Sequence, residues 1–160
     1  MFRRLVRAVR TAKLVTDADK AASEKRWPDA MRALEAAYAV LECEVPSKTI
    51  VIELNLRLCL VAIAIENGVL ALDAALTAVE QLQAGRERYS PEDRAYLLAF
   101  AKAVTNYCLR WRDGDNAREL PNPVYDISFD RVSRRVRERF ILPPDGSYLD
   151  PPPRGDAPLH

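Results

Sequence analysis

Residues 18–45 read ADKAASEKRWPDAMRALEAAYAVLECEV, and this stretch decides the fold. Ala18, Ala21 and Ala22 recur at helical spacing, then Trp27-Pro28-Asp29-Ala30 stops one helix and starts another. Pro28 suits a first helical turn, where its missing N–H is not needed, and Asp29 complements the positive end of the helix dipole. Met31, Leu34, Tyr38 and Leu41 then line one face of a second alanine-rich helix. The unit is a helical hairpin. One hairpin cannot bury its apolar face alone, so other parts of the chain must supply partners.

The same punctuation continues on both sides. Upstream, Phe2, Leu5, Val6 and Val9 share one helical face and Arg3, Arg7 and Arg10 the opposite one. This predicts a first helix over about residues 2–25, with its apolar side on the body and its arginines outward. Downstream, Pro46-Ser47 interrupts, and IVIELNLRLCL follows from Ile50. Its alternation of apolar residues is strand-like. The length of the apolar run, the Leu and Ala content after Asn55, and the lack of a second strand to pair with argue for a central helix buried on most sides.

Asn67-Gly68 reads as a helix stop. Leu72, Leu76, Val79 and Leu82 mark the next helix, ended by Gly85. Ser90-Pro91-Glu92-Asp93 combines a serine cap, a first-turn proline and first-turn acids. Leu97, Phe100, Ala101, Val104, Cys108 and Trp111 form the apolar face that follows, and Asp113-Gly114-Asp115-Asn116 ends it. After a loop with Pro121 and Pro123, Phe129, Val132, Val136 and Phe140 align in a last short helix, with arginines on its other sides.

The predicted fold class is all-α: about six helices in antiparallel hairpins, as a stack or a bundle. Residues 1–142 form a single helical domain. Six of the eleven prolines lie from Pro143 onward, so residues 143–160 read as a Pro-rich flexible tail.

Net charge is only +1, yet it is unevenly placed. Residues 1–16 carry Arg3, Arg4, Arg7, Arg10 and Lys13 with no acid, hence +5. Residues 127–142 carry five arginines against Asp130 and Glu138, hence +3, which leaves −7 for the rest. Basic ends and an acidic middle suit binding to itself, to an anionic surface or to a partner of mixed charge. The first residues are arginine-rich, acid-free and amphipathic, as mitochondrial targeting peptides are, but a first helix with a basic solvent face is the simpler reading. The run Ile50 to Ile65 contains Glu53, Asn55 and Arg57 and is too short and too polar to span a bilayer.

Catalytic signals are few. The single histidine is His160, inside the Pro-rich tail, which argues against histidine bases and histidine metal ligation. Neither GxGxxG nor GxxxxGK[ST] is present. Cys43, Cys59 and Cys108 have no CxxC spacing and read as structural thiols of a reducing compartment. Glu42 and Glu44 are helix-end glutamates, and Gly114 breaks the calcium-loop spacing around Asp113 and Asp115. Asn122-Pro123-Val124-Tyr125 and Arg154-Gly155-Asp156 match short recognition peptides of a length that arises by chance. Trp111, between Arg110 and Arg112, reads as a core anchor before a base-stacking platform. No cofactor and no metal site are expected, and the chain is read as non-enzymatic.

Ala18, Ala21, Trp27, Ala30 and Ala37 resemble the tetratricopeptide repeat. Ala21 stands where that family prefers tyrosine, and Lys25 where it prefers glycine. The second hairpin fits through Gly68, whereas Asp73 occupies a position meant for alanine. The resemblance implies a concave, peptide-binding surface, which projects here onto Val15, Asp19, Asn55, Leu58 and Ala62. The lysine and asparagine set that grips a peptide carboxylate in some members is not present.

The first functional expectation is therefore a cytoplasmic, bacterial adaptor that binds another protein through a helical groove. The alternative is a peripheral binder of nucleic acid or membrane headgroups, through Arg3, Arg4, Arg7 and Arg10 and through Arg131, Arg134 and Arg135. The discriminator is whether the N-terminal arginines meet acids of the middle segment.

Overall fold

The computed structural model describes residues 1–42, 48–85, 87–113 and 127–142, with the backbone only for Lys48 and for residues 110–113. Among the described residues six α-helices follow one another: α1 (Phe2–Ser23), α2 (Trp27–Leu41), α3 (Lys48–Ala64), α4 (Gly68–Ala84), α5 (Pro91–Asp113) and α6 (Arg134–Arg139). A 3₁₀ turn, Phe129–Arg131, precedes α6. No strand occurs among the described residues. The fold is all-α, as the helical periodicity predicts, and helices neighbouring in sequence pack on one another from α1 to α5.

Both hairpin corners use the same turn. At the end of α1, Lys25 enters the left-handed region at φ 58° and the Arg26 amide reaches back to the Ala21 carbonyl at 2.8 Å. At the end of α3, Glu66 does so at φ 60° and the Asn67 amide reaches Ala62 at 2.8 Å. These six-to-one bonds satisfy carbonyls that a helix end leaves open. The expected stop at Asn67-Gly68 is shifted by this. Glu66 makes the turn, the Asn67 side chain accepts from the Leu70 amide at 3.1 Å, and Gly68 already belongs to α4. The positions match in pairs 41 residues apart: Ala21 with Ala62, Ala30 with Ala71, Ala37 with Ala78, all buried.

Alanine sets the packing distance. Ala18 and Ala21 on α1 and Ala30 and Ala37 on α2 are buried where the two helices pack, and α4 buries Gly68, Ala71, Ala74, Ala75 and Ala78. Larger side chains fill the middle: Leu34, Ile52, Leu54, Leu56, Leu82, Leu97, Phe100 and Val104 are fully buried. α3 is covered on most of its surface, which explains why its sequence shows no clear polar face.

Two caps are as anticipated. The Asp93 amide donates to the Ser90 hydroxyl at 3.1 Å, starting α5. α4 ends at Gly85, whose φ of 68° is left-handed. A Cβ there would also sit 3.1 Å from the Arg94 guanidinium, which covers the turn and donates to the Leu82 carbonyl.

α1 departs from expectation. Thr11, Ala18 and Ala21 are its buried residues, whereas Phe2, Leu5, Val6 and Val9 are exposed. At roughly 100° per residue the apolar stripe lies on the side of the helix away from Thr11 and Ala18. The expected packing of that stripe on the body is therefore corrected: the body takes the face with the small residues. Helix length also leaves the stripe uncovered. α1 has 22 residues and α2 has 15, so a hairpin closed at residues 24–26 leaves the first turns of α1 beyond the end of α2.

Among the described residues no helix is long and apolar enough to cross a membrane.

Candidate functional site

Glu53 and Arg57 stand one turn apart on α3 and share a face. Arg57 is buried at 6 % exposure, which is rare for arginine unless it is fully partnered. Its Nε and Nη2 donate to the two carboxylate oxygens of Asp19 on α1, at 2.9 and 3.2 Å. Its Nη1 donates to the Glu53 carbonyl at 3.1 Å and to the Glu53 carboxylate at 3.2 Å. The guanidinium carbon lies 5.6 Å from the centroid of the Phe140 ring.

The segment around α6 lies over this pair. The Ser133 amide donates to Asp93 at 2.6 Å, which fixes the start of α6 against the start of α5. The Leu142 amide donates to the Tyr96 hydroxyl at 2.9 Å, which fixes the segment's other end. Along this segment Val132, Val136, Phe140 and Leu142 are buried. The Phe140 ring meets Phe100 at 5.5 Å, and Phe129 meets Tyr96 edge-on at 6.0 Å. Arg139 then reaches Asp19, and Arg135 reaches Glu53. One short segment thus touches α1, α3 and α5 together. The three odd-numbered helices form a shared face, and the chain's own residues 132–142 occupy it. Asp19, Glu53, Arg57, Arg135, Arg139 and Phe140 border a recess of about 440 Å³ there.

The electrostatics follow from burial. Arg139 is held below the usual arginine range by desolvation, opposed by the charge of Asp19. Its Nε is buried without a hydrogen-bond partner among the described residues. The Tyr89 hydroxyl donates to Glu53 at 3.3 Å and is pushed well above the ordinary tyrosine range, first by burial and then by the Glu53 charge. Glu53 therefore accepts from Arg57, Arg135 and Tyr89, three elements converging on one carboxylate.

Of the residues projected onto a groove, Asp19 lines the recess and Val15 is half-buried beside the core. Asn55, Leu58 and Ala62 lie elsewhere. They sit roughly 100–160° around α3 from Arg57 and are buried toward α2 and α4. Asn55 bonds its own helix at Val51, and Leu58 borders a smaller recess of about 220 Å³ with Met31, Tyr38 and Leu70. The face of α3 that meets residues 132–142 carries Glu53 and Arg57. Their i,i+4 spacing inside an apolar helix was the available signal.

The arginines of the alternative reading divide into two groups. Arg135 pairs with Glu53 and Arg134 with Glu138, while Arg131 is exposed. Arg3, Arg4 and Arg10 are exposed and make no ion pair with a described acid, whereas Arg7 is half-buried and engaged.

Cys59 and Cys108 are buried free thiols, and no group of three or more His, Cys, Asp or Glu among the described residues is placed to hold a metal ion. Cys43, Glu44, Asp115, Asn116, the 122–125 and 154–156 motifs, His160, the 143–160 tail and the Trp111 side chain lie outside the described residues. Comparison with known protein families, curated proteins and solved structures gives no match.

Proposed function

We propose that this chain is a non-enzymatic protein-interaction module, an adaptor whose groove between α1, α3 and α5 receives a short amphipathic segment bearing arginines. One observation carries the reading. The groove already holds such a segment, with Val136 and Phe140 turned inward and Arg135 and Arg139 on Glu53 and Asp19. A partner with the same pattern, two apolar residues one turn apart and an arginine beside each, would compete for the same contacts.

Tetratricopeptide-like architecture is part of this proposal. Paired helices with alanine seams and a shared face of odd-numbered helices support it. The 41-residue spacing of the matching corners exceeds the roughly 34 residues of that repeat, so the hairpins are the longer kind. A reducing, cytoplasmic setting is consistent with two buried free thiols.

The test uses a labelled peptide of residues 127–142. It should bind the full chain carrying Phe140→Ala, in which the resident segment is loosened, and bind wild type more weakly. Adding Asp19→Asn and Glu53→Gln should abolish that binding. Equal or absent binding across all variants would show that the groove is not a receptor for segments of this kind.

A further inference from the structure

The first turns of α1 carry a second surface, independent of the groove. Phe2, Leu5, Val6 and Val9 are 78, 63, 49 and 62 % exposed. Exposed apolar residues on soluble proteins are usually scattered singly; four on one face within eight residues form a patch. The described residues of the body leave it uncovered. α1 turns Thr11 and Ala18 to its neighbours, and the stripe points the opposite way.

The charge around the stripe is of one sign. Arg3, Arg4, Arg10 and Lys13 are exposed, and no acid occurs before Asp17. At roughly 100° per residue, Arg3 and Arg10 flank the stripe on one side, and Lys13 lies almost in line with it. Long basic side chains beside an apolar stripe can bury their stems and lift their charges to a headgroup layer.

We propose that residues 2–13 are an in-plane anchor for an anionic lipid bilayer. The stripe enters the boundary between headgroups and acyl chains, and Arg3, Arg10 and Lys13 bind lipid phosphates. Other occupants fit less of what is present. A second copy would bring two acid-free segments of +5 together, along a stripe only about 12 Å long. A nucleic acid would take the arginines and leave the four apolar side chains in water. A bilayer surface satisfies both features at once, and the turns of α1 that extend past α2 leave room to lie on it.

The experiment is co-sedimentation of the full chain with vesicles of phosphatidylcholine alone and of phosphatidylcholine with about a third phosphatidylserine. Binding to the anionic vesicles should be at least tenfold stronger, and should weaken steeply with salt. Leu5→Ser with Val9→Ser should reduce it by roughly tenfold or more. Arg3→Glu with Arg10→Glu should abolish it. All four side chains are exposed, so the melting temperatures should match wild type, which separates lost binding from lost folding. Absence of binding to anionic vesicles overturns the proposal. So does binding that survives the double serine variant, since the stripe would then be idle. Binding to duplex DNA as tight as to vesicles, and equally indifferent to Leu5 and Val9, would also overturn it.

Discussion

Replacing Arg57 by methionine should destabilise the protein more than most surface changes, although a charge is removed from an apolar helix. The side chain is 7 % exposed and contributes four hydrogen bonds to Asp19 and Glu53. Removing one partner of a buried ion pair typically costs about 3–5 kcal/mol, because the other charge is left without compensation. Here two features reduce that. Asp19 keeps Arg139 and is 27 % exposed, and Glu53 keeps Arg135 and Tyr89. Methionine also fills the space over Phe140. The expected loss is therefore at the bottom of the range, about 3 kcal/mol. With a urea slope of about 2 kcal/mol/M, the unfolding midpoint should fall by about 1.5 M. Arg57→Lys should recover little, since an ammonium cannot bridge both Asp19 oxygens. On an Asp19→Asn background the effect of Arg57→Met should shrink, giving a coupling of about 1–3 kcal/mol. If the Arg57→Met midpoint stays within a few tenths molar of wild type, the cluster does not hold α1, α3 and α6 together. The account of the groove then fails.

Leu97→Ala and Val104→Ala remove fully buried side chains from α5 and should cost about 3 and 2 kcal/mol in denaturant titrations; unmoved midpoints would place α5 outside the core. Phe140→Ala should cost about 3 kcal/mol, while deletion of residues 143–160 should shift the melting temperature by no more than about 3 °C. Lys25→Gly and Glu66→Gly relieve left-handed backbone and should each be stabilising by about 0.5 kcal/mol; a loss in both would mean that these turns carry no strain. Burial pushes the Cys108 thiol up to about 12 and Cys59 higher still. Both folded values lie above the unfolded ones, so their contribution to stability is complete below about pH 8.5 and is lost as pH rises beyond it. Tyr89, also raised, adds to this loss above about pH 10. Unfolding free energy measured by circular dichroism should fall above pH 9, and the native thiols should react with disulfide reagents at pH 8 only as fast as the protein opens.

Much of the architecture was legible because it rests on local signals. Ser90-Pro91 and Trp27-Pro28 fix helix starts by backbone chemistry, and Gly85 fixes a stop, whatever the tertiary contacts. The groove was not legible on the same terms. α3 is apolar nearly all round, so periodicity could not say which of its faces pointed where. Asn55, Leu58 and Ala62 were projected from a repeat resemblance onto the face that packs on α2 and α4. The informative feature was an i,i+4 Glu53–Arg57 pair inside an apolar run, whose partner Asp19 lies 38 residues away in sequence. Pairings of that separation leave no trace in a helical period.

The two basic ends show how equal-looking charge runs can have opposite fates. By sequence both are arginine-rich helices with an apolar side. In the folded chain, the C-terminal run places Val136 and Phe140 inward and spends Arg135 and Arg139 on Glu53 and Asp19. Desolvating Arg139 is tolerable because Asp19 is already positioned to receive it, while Arg135 meets Glu53 from the exposed side. In the N-terminal run Arg7 is engaged, but Arg3, Arg4 and Arg10 make no ion pair with a described acid. Its body-facing positions are filled by Thr11, Ala18 and Ala21, whose small size sets the approach of α2, and four large apolar residues on the other side would not fit that seam. Acids of the middle segment thus take two arginines of the C-terminal run, whereas Arg3, Arg4 and Arg10 of the other run stay exposed. What distinguishes them is the register of small and large residues around each helix rather than the number of arginines. Exchanging Ala18 for leucine should test that register directly. It should overpack the α1–α2 seam and cost about 1–3 kcal/mol, whereas Val9→Leu on the outward side should change stability by less than about 0.5 kcal/mol. Equal effects at the two sites would mean that the N-terminal stripe also meets the body in solution.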